Sequence, residues 1–190
     1  MLGKRLGRLV YDLAHLPSVS RFIYLLVIFS GVHTQAPAQD LASTWLMDLD
    51  LQTGAPAVLG TTPAGQRGIY PVTGGRFEGP RLRGIVVGGT DWALKRADGS
   101  YKIDVRTTLK TDDGHFIYAT YGGYITAPPE VLSALESGSY DDLSSDSYYF
   151  RTQLTFETGD GQYAWLNGII AIGVGHTTPT GVAYRIHEIN

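Results

Sequence analysis

The chain has 190 residues, 43% of them hydrophobic and 17% charged, and it has no cysteine. Thiolate zinc sites, cysteine nucleophiles and disulfide scaffolds are therefore excluded, and stability must come from a packed core. The formal charge is −3, and the 15 Lys and Arg residues are scattered among 18 acids without the basic stripe that nucleic-acid binding requires.

At the N-terminus, Lys4, Arg5, Arg8 and Arg21 precede an apolar run from Phe22 to Phe29, and small residues stand at Ala36 and Ala38. A basic start, an apolar run too short for a bilayer core of about 30 Å, and small residues before a cleavage point describe an export signal. The expectation is a signal peptide over residues 1–38, cleavage before Gln39, and a periplasmic or secreted domain over residues 39–190. The alternatives are an uncleaved anchor, or a start codon placed too far upstream, which would leave a cytoplasmic protein. Without residues 1–38 the chain keeps 11 Lys and Arg against 17 Asp and Glu, a formal charge of −6, and no membrane partner is expected. About 150 residues suit one domain with one core.

Beyond the signal, apolar and polar residues alternate with period two in short runs. The clearest sets Tyr101, Ile103, Val105, Thr107 and Leu109 against Lys102, Asp104, Arg106, Thr108 and Lys110, which reads as a half-buried strand. Comparable strands are expected over residues 45–51, 67–73, 81–87, 115–125, 148–157, 162–174 and 182–189. Ala97-Asp98-Gly99, Asp112-Asp113-Gly114 and Gly159-Asp160-Gly161 read as hairpin turns. Residues 52–66, rich in Gly, Ala, Pro and Thr, read as a long loop. Pro128, Pro129 and Glu130 open one short helix that ends before Gly138. About eight antiparallel strands with one helix favour an all-β barrel, because closure removes exposed edges, with a β-sandwich as the alternative.

Gly74-Gly75-Arg76-Phe77-Glu78-Gly79-Pro80-Arg81-Leu82-Arg83-Gly84, Gly88-Gly89-Thr90-Asp91-Trp92 and Arg96-Ala97-Asp98-Gly99 follow one another in order. Asp104-Val105-Arg106, Thr111-Asp112-Asp113-Gly114, Tyr149-Phe150-Arg151, Phe156-Glu157-Thr158 and Tyr163-Ala164-Trp165-Leu166-Asn167 complete the series. Together they resemble the bacterial and fungal family named domain of unknown function 3237, over about residues 45–189. The resemblance implies a small lipocalin-like or allene-oxide-cyclase-like antiparallel barrel and says little about activity.

Asp91 and Trp92 follow Gly88-Gly89, read as a turn that presents a carboxylate and an indole together at a strand end. The alternative is a capping Asp beside a Trp that plugs the barrel. Asp104 and Arg106 share a strand face. If that face points inward, Asp104 can serve as a base and Arg106 can hold an oxyanion; if it points outward, the two belong to a solvated face with Lys102 and Lys110. Arg151 shares a face with Tyr149, Gln153, Thr155 and Glu157, opposite Phe150, Leu154 and Phe156. Trp165 and Asn167 share a face of the expected 162–174 strand, where Asn167 would donate to a substrate carbonyl. Tyr118 stands among tyrosines whose rings can line a cavity. Asp91, Asp104, Arg106 and Arg151 are thus the catalytic candidates, and Trp92, Tyr118, Trp165 and Asn167 the substrate-binding ones.

His115, His176 and His187 show no ligand spacing, so neither metal nor other cofactor is expected. No Gly-x-Ser-x-Gly elbow, P-loop or dinucleotide fingerprint is present. Two functions remain: a cofactor-independent lyase, isomerase or cyclase acting on a small oxygenated molecule, and a non-catalytic binder of a small apolar or aromatic ligand. The discriminating feature is what points inward: Trp and Tyr alone favour binding, whereas convergent charged groups favour chemistry. A partner-binding role through an exposed strand, and a homo-oligomer, are also compatible with the residues.

Overall fold

The computed structural model describes residues 40–139, 143–159 and 161–190. The expected export signal and its cleavage point before Gln39 lie outside the described residues. Among those described, the strands in chain order are β1 (Ser43–Thr53), β2 (Ala57–Thr62), β3 (Gly65–Glu78), β4 (Arg83–Lys95), β5 (Tyr101–Thr111), β6 (Phe116–Thr126), β7 (Tyr149–Thr158), β8 (Ala171–Thr178) and β9 (Gly181–Ile189). Among the described residues one α-helix, α1 (Pro129–Ser137), lies between β6 and β7, with Pro128 ahead of it and Gly138 in the left-handed conformation after it.

Every pairing is antiparallel, in the order β1-β9-β8-β7-β6-β5-β4-β3, and β1 pairs again with β3. Eight strands therefore close into a barrel, as the alternation predicts, and the sandwich alternative is not formed. The ninth strand, β2, lies outside the closure. It pairs with residues 65–69 of β3, so residues 52–66 hold the end of β1 and an added hairpin strand rather than a long loop. β2 is almost wholly exposed and so carries no inside-outside alternation by which to read it.

Inward side chains form one continuous core, with Leu49, Phe77, Leu109, Ile117, Phe150 and Leu154 at 2% exposure or less. On β5, residues 103, 105, 107 and 109 are buried while 104 and 106 are not, and on β7 Phe150, Leu154 and Phe156 point in while Arg151 does not.

The expected strand over residues 162–174 is only half correct. Ala164–Gly168 form a 3-10 turn, and the strand begins at Ala171. The turn drives Leu166 fully into the core. Asn167 pins it to the end of β7, its Oδ1 accepting from Thr158 N–H at 2.8 Å and its Nδ2 donating to Thr158 O at 3.0 Å. Asn167→Ala should lose both bonds and lower unfolding stability by about 1–2 kcal/mol, measurable in a urea titration.

Candidate functional site: a carboxyl inside a tyrosine-lined cavity

The placement of Asp91 follows from one irregularity in β4. Val86 faces Leu109, but the next paired residue is Gly88, which faces Thr108, so β4 carries one extra residue at this point. A one-residue bulge reverses which later side chains point inward. Gly89 then lies opposite Thr107 and Asp91 opposite Val105, both buried residues of β5. Gly88-Gly89 is therefore a bulge inside a long strand and not the turn that the glycine pair suggests. The same alternation sends Trp92 to the outer wall, where the Arg106 guanidinium carbon lies 5.0 Å from its ring centre. The joint presentation of Asp91 and Trp92 is thereby corrected: neighbours on a strand face opposite sides.

Asp91 enters an interior cavity of about 130 Å³ near the end of the barrel that carries the β4–β5 turn. Its walls are aliphatic, including Leu51, Val72, Ile103 and Val105, and aromatic, including Tyr70, Tyr101, Tyr121 and Tyr184. Asp91 is the one carboxylate among the residues that line it. Its Oδ1 accepts the backbone N–H of Asp104 at 3.1 Å, across a gap in the β4–β5 ladder between the Asp91–Val105 and Leu94–Lys102 pairs. Burial pushes its pKa up to about 7; that hydrogen bond opposes the shift, and the negative charge of Asp104 adds to it. The group is therefore close to half protonated at neutral pH.

Tyr121 and Tyr184 stand edge to face, with ring centres 5.5 Å apart, and Tyr184 packs likewise on Phe150 at 5.2 Å. Burial raises the pKa of both phenols, and the charge of Asp91 adds to it, so both stay protonated donors. The Tyr121 hydroxyl is buried beside that of Tyr184, and among the described residues it makes no closer, well-aligned hydrogen bond. A buried donor of that kind is costly unless something polar reaches it. At the mouth, Tyr101 donates to Glu136 of α1 at 2.8 Å, and Lys95 pairs with the same oxygen at 2.6 Å, which ties the helix to the cavity wall.

The remaining candidates lie elsewhere. Asp104 and Arg106 pair with each other at 3.0 Å, both about half exposed, on the outer wall. Arg151 is also outside, with its guanidinium carbon 5.2 Å from the Tyr149 ring centre and a hydrogen bond to Phe150 O. Of the two readings of the Asp104–Arg106 face, the outward one is formed, because the apolar partners of the same strand take the inner face, and on β7 Arg151 stands outside for the same reason. Tyr118 is an outer-wall residue opposite Glu157. Trp165, on the 3-10 turn, stacks under Arg81 with 3.6 Å from guanidinium carbon to ring centre, and Asn167 is occupied by Thr158. Of the eight candidates, Asp91 alone faces the cavity. Tyr101 and Tyr184 were not among them, although their alternation with Ile103 and Val105, and with Val182 and Ile186, marks them as inward. Among the described residues, no group of three or more His, Cys, Asp or Glu side chains is placed to hold a metal ion.

Fold and cavity define a small closed antiparallel barrel with a carboxyl-bearing interior. The family model for the protein of unknown function DUF3237 matches residues 42–189, and the chain belongs to that family. It is 33% identical to a UPF0311 protein of Clostridium acetobutylicum over 66% of this chain and 79% of that one. A β-barrel-like protein from Acinetobacter baumannii superposes with a TM-score of 0.70 at 34% identity, covering 82% of this chain and all of the other. The hydroalkoxylation enzyme phnH of Penicillium herquei is 27% identical over 77% of this chain and 76% of its own length.

Proposed function

We propose that this chain is an acid–base enzyme that acts inside the barrel on a small, largely apolar molecule carrying a hydroxyl group and a carbon–carbon double bond. The observation that carries the reading is a single carboxyl aimed into an apolar cavity beside the buried hydroxyls of Tyr121 and Tyr184. A cavity of this size is close to the roughly 150 Å³ of an engineered protein cavity that holds benzene, so it suits one ring or its aliphatic equivalent. The relative named as a hydroalkoxylation enzyme supports the choice of reaction, addition of an O–H across a C=C, and a cavity of about 130 Å³ favours both groups standing on one molecule.

In that reaction the Asp91 carboxyl gives its proton to an electron-rich alkene carbon. The substrate hydroxyl oxygen bonds to the carbon left cationic, and its proton passes to the Asp91 carboxylate. No atom is lost, and the carboxyl is returned to its starting state. A pKa near 7 suits a group that must both give and take a proton. Tyr121 and Tyr184 hold the substrate oxygen, and the aliphatic wall keeps water away from the cation.

The test is incubation with 2-allylphenol and related hydroxy-alkenes, followed by chromatography and mass spectrometry. The expected result is a product of unchanged mass and altered retention. Asp91→Asn should reduce its formation at least about a hundredfold, and Tyr121→Phe should reduce it less. A ligand that stabilises the protein and is recovered unaltered at every pH would replace this reading with the carrier, which the tyrosine-rich wall also favours.

A further inference from the structure

The charged residues that the interior excludes meet on the outer wall, around a glycine. Gly122 on β6 lies directly opposite Asp104 on β5 and Gln153 on β7. Its diagonal neighbours on those strands are Arg106, Lys102, Arg151 and Thr155, at positions about 7–8 Å away. Three of the four corners are thus cationic, within reach of an Arg or Lys side chain, and the centre has no side chain. Together these residues line an open groove on the barrel wall.

The backbone does not demand a glycine there. A Cβ on Gly122 would meet only Ile103 O, at 3.3 Å, whereas one on the next residue, Gly123, would fall 2.0 Å from Arg151 O. Glycine weakens a strand and contributes no packing, so a glycine without a steric reason marks a place kept open for something else to approach. Among the described residues, Arg106 is paired with Asp104, but neither Lys102 nor Arg151 has an ion-pair partner. Two cations therefore remain to be balanced, on a domain that is acidic overall. Tyr124 follows Gly122 on the same face and Tyr149 lies beyond it next to Arg151, with 43% and 53% of their surfaces exposed. Each ring already carries a guanidinium, Arg96 at 5.3 Å from the Tyr124 ring centre and Arg151 at 5.2 Å from that of Tyr149, and offers its remaining exposed surface beside the cationic gap.

We infer that this groove is a second binding site, separate from the interior cavity, which takes an aromatic carboxylate with its carboxylate over Gly122 and its ring against Tyr124 and Tyr149. Arg106, Lys102 and Arg151 hold the carboxylate, with Arg106 steadied by Trp92 behind it.

The experiment is an NMR titration of the full chain with benzoate, its neutral isostere benzamide, and inorganic phosphate. Benzoate should bind saturably, with benzamide and phosphate at least tenfold weaker. Gly122→Val, which fills the gap without changing charge, and Arg151→Gln should each weaken benzoate at least tenfold, and Asp91→Asn should leave its binding at the groove unchanged. Arg151→Gln is a surface substitution and keeps the test decisive if Gly122→Val does not fold. The inference is overturned if benzoate does not saturate, if neither groove variant affects it, if phosphate binds as tightly, or if Asp91→Asn abolishes binding.

Discussion

Asp91→Asn should be more stable than the unaltered chain at pH 8, by on the order of 4 kcal/mol. The carboxyl titrates near 3.8 in the unfolded chain and near 7 in the barrel, where burial disfavours its charge. Between those values the folded state holds more protons than the unfolded one, so stability falls as the pH rises from about 4 to about 7 and is level above that. Asp48 and Glu136, whose pKa values are lowered chiefly by hydrogen bonds from Arg185 and Lys95, act with the opposite sign. Their stabilisation is complete above their unfolded values of 3.8 and 4.5 and is lost as the pH falls from there through their lowered folded values, at the acid edge of the Asp91 window. Asparagine keeps an oxygen for the Asp104 N–H and cannot ionise, so the difference in stability between the two proteins, plotted against pH, isolates the one group. Urea titrations at pH 4.5, 6, 7 and 8 should show that difference opening through the window. A difference that stays constant would place the Asp91 pKa near its ordinary value and remove the reason for assigning it the proton transfer.

Such a trade of stability for a poised group is the pattern expected where an acidic side chain is kept buried for use. It also explains why Asp91 was harder to place from sequence than the barrel around it. The strands of β5, β6, β7 and β9 are legible because half-burial imposes period two, and α1 is legible from Pro129 and Gly138. The same alternation on β5 already assigns Ile103 and Val105 to one face and Asp104 and Arg106 to the other. A closed barrel buries the apolar set, so the charged pair belongs outside, whatever motif it matches. The inward course of Asp91 depends instead on an extra residue at Val87, and Gly88-Gly89 reads equally well as a turn until the partner strand is known. Likewise, the 3-10 turn at Ala164–Gly168 satisfies the same residues that suggest a strand, and the selection comes from Leu166 filling the barrel end and Asn167 bonding Thr158.

The bulge makes the second large prediction. Gly89→Ala should prevent folding or reduce stability by more than about 3 kcal/mol, because the new Cβ would fall 2.2 Å from Arg106 O, with the Thr107 backbone at 2.7 Å. Both obstacles are main chain on the paired strand, so no rotamer change relieves them; β4 and β5 must separate at the point where the bulge turns Asp91 inward. Gly122→Ala offers the matched control. It places the same methyl in the same sheet against a single carbonyl at 3.3 Å, which a shift of a few tenths of an ångström accommodates, and alanine restricts the unfolded chain. Its unfolding free energy from a urea titration should lie within about 0.5 kcal/mol of the parent. The pair separates two uses of glycine on one barrel wall: at Gly89 the residue lets two backbones touch so that a carboxyl can be aimed into the cavity, and at Gly122 it leaves room on the outside. If both variants fold equally well, the close approach of β4 to β5 is not what holds the bulge. The inward position of Asp91 would then have to be maintained by its hydrogen bond to Asp104 N–H alone.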